Sequence, residues 1–336
     1  MSKEETLVSL IMPIKNLGHY VSETIESASS QTYENWELII INDHSTDNTA
    51  QIALDLAQRE ERIKLVENES KGIIPALQKG LAVAKGQYIS RIDGDDIMPK
   101  ERLQLMVEAL AGSEPKTVVT GKVKYFGTPP ISEGYTKYEH WLNNRIDLKD
   151  HWQWVYRECV IASPNWMVRK SELKAIGEFT DLQYPEDYDL VLKWYRQGFQ
   201  VKSIPKTTLL WREHAARTSR NSTNYQQETF FRLKIRHFVK HELKDSQLIV
   251  WGTDKKGKLA KQLLDELGIP FSWMGLSIPN ESHKVLNQKV FDYRAVENEN
   301  NFKLLITVFP NAHQRAALED YLSDLNLQHG KCYFYL

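Results

Sequence analysis

The sequence predicts an α/β protein: a mostly parallel central sheet covered by helices on both faces, followed along the chain by a smaller α/β unit. Short apolar runs alternate with helical periods through the first hundred residues. Three of the first four runs end in polar residues: Lys15 and Asn16, then Asn42 and Asp43, then Asp93 and Asp95. A fresh strand–helix alternation begins near residue 246.

LVSLIMPI (7–14) reads as a buried strand, and 21–31 as a helix with Ile25 and Ala28 on one face. WELIIIN (36–42) is a second strand. Asp47 then caps a helix in which Ile52, Ala53, Leu56 and Ala57 share a face. RIKLVEN (62–68) is the third strand, 73–85 a helix stopped at Gly86, and QYISRID (87–93) the fourth strand. Pro99 fits a first helical position ahead of Leu103, Met106, Val107 and Leu110. From 113 to 166 periodicity fades and aromatic residues gather: Tyr135, Tyr138, Trp141, Trp152, Trp154, Tyr156 and Trp166. Residues 187–197 read as a helix, 218–227 as a loop and 228–243 as a further helix. In the second unit QLIVWG (247–252), FSWMGLS (271–277) and KLLITVF (303–309) read as strands, with helices at 257–267 and 311–325.

These segments divide the chain into 1–227, a helical linker at 228–245 and a unit at 246–336. Lys plus Arg number 43 and Asp plus Glu 44, so bulk charge offers nucleic acid no purchase and no such partner is expected. The two cysteines, Cys159 and Cys332, make neither a zinc pattern nor a disulfide framework. MSKEETLVSL lacks the apolar core of a signal peptide, and no run reaches the roughly 18–20 apolar residues of a membrane helix. The expected place is the cytoplasm.

YISRIDGDDIMP (88–99) sets three carboxylates at the end of a strand. Asp96 alone has a bland reading, as a turn or helix cap. A calcium loop counted from Asp93 fails, because Ile97 and Gln104 stand where the fifth and twelfth ligands belong. Asp93 and Asp95 as an Asp-x-Asp site fit a hard divalent ion that takes its remaining oxygens from a substrate diphosphate.

VSLIMPIKN, WELIIINDHSTDNT and KGIIPALQKGLAVAKGQYISRIDGDDIMPKERL, in that order, resemble the inverting GT-A nucleotide-sugar glycosyltransferases of family 2. YPEDYDLVLKWYRQG resembles the family's ED segment and WREHAARTSR its Arg-x-His segment, so the likeness runs from about 7 to 227. It implies a GT-A fold and sugar transfer from a nucleotide diphosphate, with UDP the expected nucleotide, to a hydroxyl of a bacterial surface glycan or lipid-linked acceptor. Mn²⁺ or Mg²⁺ is the implied cofactor. Asp43 would take the N3–H of the base, with Pro13, Lys15, Asn16, Lys71, Asp93, Gly94, Arg212 and Arg217 completing the donor site. Asp95, Asp93 and His214 would hold the metal, and Asp187 would be the general base. Asn165, Trp166 and Glu186 would face the acceptor. Arg91 is expected to point away from the metal and to pair with a buried carboxylate. For Glu186 and Asp187 read from the residues alone, a helix N-terminus favouring acids is the preferred explanation. For most of the aromatics the bland reading is core packing, and otherwise they suit sugar stacking or a lipid interface.

VWGTDKKGKLAKQLLDELG (250–268) invites a dinucleotide reading, but Asp254 stands where the central glycine of Gly-x-Gly-x-x-Gly belongs. Gly275, Leu276 and Ser277 end the next strand without a ribose-binding acid. The expectation is a Rossmann-like accessory domain without NAD. Peripheral association with the inner membrane face and homodimer formation stay open. Two other readings remain: a non-catalytic GT-A scaffold, and a nicotinamide-dependent oxidoreductase acting through the C-terminal unit.

Overall fold

The computed structural model describes residues 6–128, 130–180, 182–276, 283–308 and 312–336. Ser277, Phe309 and Asn311, which close or open expected elements, lie outside the described residues. The chain forms two compact units, 1–151 with 160–221, and 152–159 with 222–336. The expected linker at 228–245 therefore belongs to the second unit, and so does 152–159.

The first unit opens with β1 (Val8–Ile14), α1 (Val21–Ser29), β2 (Trp36–Asn42), α2 (Thr49–Ala57), β3 (Ile63–Glu67), α3 (Ile73–Val83), β4 (Tyr88–Arg91) and α4 (Arg102–Ala111). Every residue of β1 and β2 is buried, which explains why both read as unbroken apolar runs. Leu103, Met106, Val107 and Leu110 are the buried stripe of α4. That helix begins three residues after Pro99, whose carbonyl accepts the Arg102 N–H in a preceding turn. Next come β5 (Thr117–Gly127), α5 (Glu133–Leu148), β6 (Trp166–Arg169), α6 (Lys170–Ala175), α7 (Glu186–Arg196), β7 (Gln200–Glu213) and α8 (Thr218–Asn221). The sheet runs β3-β2-β1-β4-β6-β5-β7. Its strands are parallel except β6, which is antiparallel to both neighbours.

The second unit carries α9 (Gln227–Phe238), β8 (Gln247–Trp251), α10 (Lys255–Glu266), β9 (Ser272–Gly275), β10 (Lys284–Val285), β11 (Gln288–Asp292), β12 (Phe302–Ile306), α11 (Ala312–Asp324) and β13 (Tyr333–Tyr335). Its sheet runs β10-β11-β9-β8-β12-β13 and is parallel apart from the β10–β11 pair. Asp254 is the N-cap of α10, its carboxylate accepting the Gly257 N–H at 3.0 Å. A Cβ at Gly257 would lie 2.0 Å from the Gly252 carbonyl oxygen, so the helix meets the strand end there without a side chain. Trp154 and Tyr156 pack in this unit, stacked on Tyr335 and edge-on to Phe334 respectively.

Candidate active site

The site assembles at the carboxyl ends of β1, β2 and β4, where parallel sheets place ligands. Ile14 pairs with Asn42, so the chain leaves β1 and β2 side by side, and the Asp43 N–H donates to the Ile14 carbonyl at 2.8 Å. The Asp43 carboxylate accepts from Asn68 Nδ2 at 2.7 Å and the Gly72 N–H at 2.9 Å through one oxygen. Lys15 Nζ reaches the other at 3.2 Å. Burial alone would raise the Asp43 carboxyl, but Gly72, Asn68 and Lys15 outweigh it and hold it below the usual carboxylate range. Two of these donors are built in, while the lysine is half exposed and replaceable. Gly72 has φ +107, and a Cβ on it would come within 3.3 Å of Tyr184 Oη.

The connection after β2 is tied down on both sides. Asn16, at φ +53, takes the Thr46 N–H on its side-chain oxygen at 2.8 Å. His44, at φ +57, sets Nε2 3.0 Å from the Ser70 carbonyl, fastening the loop that carries the exposed Lys71 and Gly72. Pro13 is buried within β1. Asp47 accepts the Thr49 and Gly18 N–H groups, joining the turns after β1 and β2.

Arg91, the last residue of β4, joins two segments 95 positions apart. Its Nε donates to Asp93 Oδ1 at 2.7 Å and its Nη1 to Glu186 Oε1 at 3.2 Å. It does pair with a buried carboxylate, but it turns towards Asp93 rather than away. Asp187 sits half-buried in the first turn of α7, with one oxygen accepting the Tyr188 N–H at 2.8 Å. Burial first and Glu186 second push its carboxyl up to about 7, against the pull of Arg91. Tyr184 feels both Glu186 and Asp43, which together with burial raise its phenol. Asp187 thus feels the charges of Arg91 and Asp93, and Tyr184 those of Glu186 and Asp43.

The loop after β4 lies across β7 through Ile97, whose N–H and carbonyl pair with Leu210 at 3.0 and 2.9 Å. This bridge brings Asp95 Oδ2 to 2.9 Å from His214 Nε2. Gly94 has no room for a side chain, since a Cβ would stand 2.6 Å from Ile14 Cγ2. Asp96 is buried and accepts the Arg212 N–H at 2.8 Å. Burial, then the charges of Asp95 and Asp93, raise its carboxyl well above the ordinary range.

Several residues expected at the site have their side chains engaged within the protein. Arg212 donates to the Asp95 carbonyl at 2.7 Å and to Glu23, and lies 4.4 Å over the Phe126 ring, so it shapes the loop instead of reaching outward for phosphate. Arg217 pairs with Glu213 at 2.8 Å and lies against Trp211 and Tyr135. Asn165 is 0% exposed, its amide donating to the Gly121 carbonyl and accepting from Thr208. Trp166 packs edge-on against Trp194 in the core. Glu186 is buried against Arg91. None of the last three presents a side chain to an acceptor.

Among the described residues no three His, Cys, Asp or Glu side chains cluster as metal ligands. Asp93, expected as the third, spends one oxygen on Arg91. Asp95 Oδ2 and His214 Nε2 stand 2.9 Å apart, one oxygen and one nitrogen that could serve as two of a divalent ion's ligands. Asn68, Tyr184 and the linking role of Arg91 were missed by sequence reasoning. Only Arg91 left a signal, a charge inside the apolar run YISRI.

Comparison with known proteins adds to this geometry. The family model for Glycosyl transferase family 2 matches residues 9–177. Glycosyltransferase GlyG of Streptococcus pneumoniae is 24% identical over 62% of this chain and 71% of its own length. The Escherichia coli UDP-Glc:alpha-D-GlcNAc-diphosphoundecaprenol beta-1,3-glucosyltransferase WfgD is 39% identical over 32% of this chain and 42% of its own. Among solved structures, S. aureus TarS 1-349 in complex with UDP-GlcNAc superposes with a TM-score of 0.52 at 19% identity, covering 77% of this chain and 70% of that one, a likeness of fold.

Proposed function

The chain belongs to glycosyl transferase family 2 and is a glycosyltransferase, and from that premise we propose a metal-dependent inverting transfer from a UDP-sugar to a hydroxyl of a bacterial glycan or lipid-linked acceptor. The observation that carries the mechanism is Asp187, half-buried at the head of α7 with a carboxyl near 7 and linked through Arg91 and Glu186 to Asp93. A base poised near neutrality takes a hydroxyl proton efficiently as the oxygen attacks the anomeric carbon. Asp43 supports the UDP reading: uracil N3–H has a held carboxylate to donate to once Lys15 swings aside. Asp95 and His214 would hold the divalent ion, which would neutralise charge on the departing diphosphate. WfgD, named as using UDP-Glc and a diphosphoundecaprenol acceptor, supports the same donor and acceptor classes.

Residues 6–151 and 160–221 would carry the transfer and the second unit an accessory, Rossmann-like role. Among the described residues no helix is long and apolar enough to cross a membrane.

The deciding experiment is a thermal-shift panel of nucleotide sugars with and without Mn²⁺, followed by product analysis of the anomeric configuration. Stabilisation by UDP-sugars that needs Mn²⁺ supports the reading. Metal-independent binding, or a retained anomeric configuration in the product, overturns it.

A further inference from the structure

Two helix starts in the first unit carry groups that the proposed transfer uses. Gly72 is the N-cap of α3, and Pro185 is that of α7. Gly72 sits at φ +107 with its N–H on Asp43 Oδ1. Its carbonyl accepts from Asn68 Nδ2 at 3.3 Å and from the Ala76 N–H at 3.2 Å. The head of α7 is equally fixed. The Pro185 carbonyl accepts the Asp189 N–H at 3.0 Å, and the buried Asp189 carboxylate accepts the Gln183 N–H at 2.8 Å. The chain is therefore held on both sides of Tyr184, whose half-buried side chain reaches back to the other helix start. A Cβ on Gly72 would stand 3.3 Å from Tyr184 Oη, so the phenol oxygen lies against the bare turn that holds Asp43. Burial, then the charges of Glu186 and Asp43, raise the phenol, which places it in the field of both ends.

The span that Tyr184 bridges has Asp43 on one side, through Gly72, and Asp187 on the other, three residues along the chain. We propose that Tyr184 is a positioning residue for the transfer. It braces the head of α7 against the Gly72 turn, so that Asp187 keeps a fixed place relative to a nucleotide held at Asp43. A misplacement of about 1 Å can slow a reaction about a hundredfold, so such a brace bears on rate more than on affinity. The brace stands on the contact geometry, and its effect on rate rests on the reading of Asp187 as the base.

The test compares the full wild-type chain with Tyr184→Ala and Tyr184→Phe. Amide exchange of the ligand-free chains needs no donor. Tyr184→Ala should speed exchange several-fold at 72–76 as well as at 186–190, and Tyr184→Phe, which keeps the ring, should restore most of the protection. With the nucleotide sugar that the thermal-shift panel selects, Tyr184→Ala should lower kcat about ten- to a hundredfold and leave donor KM within about threefold. Tyr184→Phe should recover most of that rate. Tyr184→Leu, too short to reach Gly72, should match the alanine variant and replaces it if that chain does not fold. Faster exchange at 186–190 alone overturns the brace. So does a phenylalanine variant as slow as alanine with wild-type exchange, which would put the hydroxyl on the substrate instead. An unchanged kcat in the alanine variant overturns the positioning role, and the base reading fails with it only if Asp187→Asn also leaves the rate unchanged.

Discussion

Asp187 and Asn165 come from one reading of the sequence but sit in different surroundings, Asp187 half-buried at the head of α7 and Asn165 fully buried. Asp187→Asn keeps the shape and removes the proposed base, so transfer should fall by about 10² to 10⁴ while UDP affinity holds. Steady-state rates paired with UDP calorimetry check this, and a parallel loss of affinity would place Asp187 in the donor site instead. The wild-type rate should rise with pH up to about 7 and then level, since the base works only when ionised. Stability runs the other way. A carboxyl raised from 3.8 to about 7 binds its proton more tightly when folded, so its contribution is full below about 4 and is lost as pH rises through 7. Asn165→Ala should cost about 1–3 kcal/mol through the partners it abandons at Gly121 and Thr208, with KM for the acceptor unchanged in the folded fraction. Asp43, Asp93 and Asp95 were legible because polar residues after apolar runs mark strand ends. Asn165 was not, because burial of an amide depends on partners 43 and 44 positions away.

Elements followed the same logic. β1 and β2 could be read because strands buried on both faces are apolar nearly throughout, whereas β3 is only partly buried and β4 ends on the charge of Arg91. β5 and α5 were not found. In β5 the run TVVTGKVKYFG mixes buried and exposed positions. In α5 the buried face includes Glu139 and Arg145, whose charges are met by Lys124 and Asp150, so the apolar stripe is interrupted. The β10–β11 pair is too short to leave a period. Close approach between elements gives a sharper test than pattern. A Cβ at Gly80 of α3 would meet Ile11 at 2.6 Å and Ile41 at 2.8 Å. Gly80→Ala should therefore destabilise by about 1–3 kcal/mol despite alanine's better helix propensity. Urea denaturation decides it, and a stabilised variant would mean that α3 shifts off the sheet freely.

At the scale of the whole chain, each unit has its own sheet and its own buried residues, so ligands should protect them separately. A ligand that binds only the native state at about 100 times its Kd adds about 2.7 kcal/mol to the opening free energy of the segments it depends on. UDP with Mn²⁺ should slow amide exchange around 14–16, 43–47, 68–72, 91–96 and 210–214, where Asp43, Asp95, His214 and their hydrogen-bond partners lie. Residues 184–188 should follow, because Tyr184 and Asp187 answer to the same charges. Protection by UDP that appears first at 254–260 would move the nucleotide to the C-terminal unit and revive a dinucleotide-type role for β8 and α10.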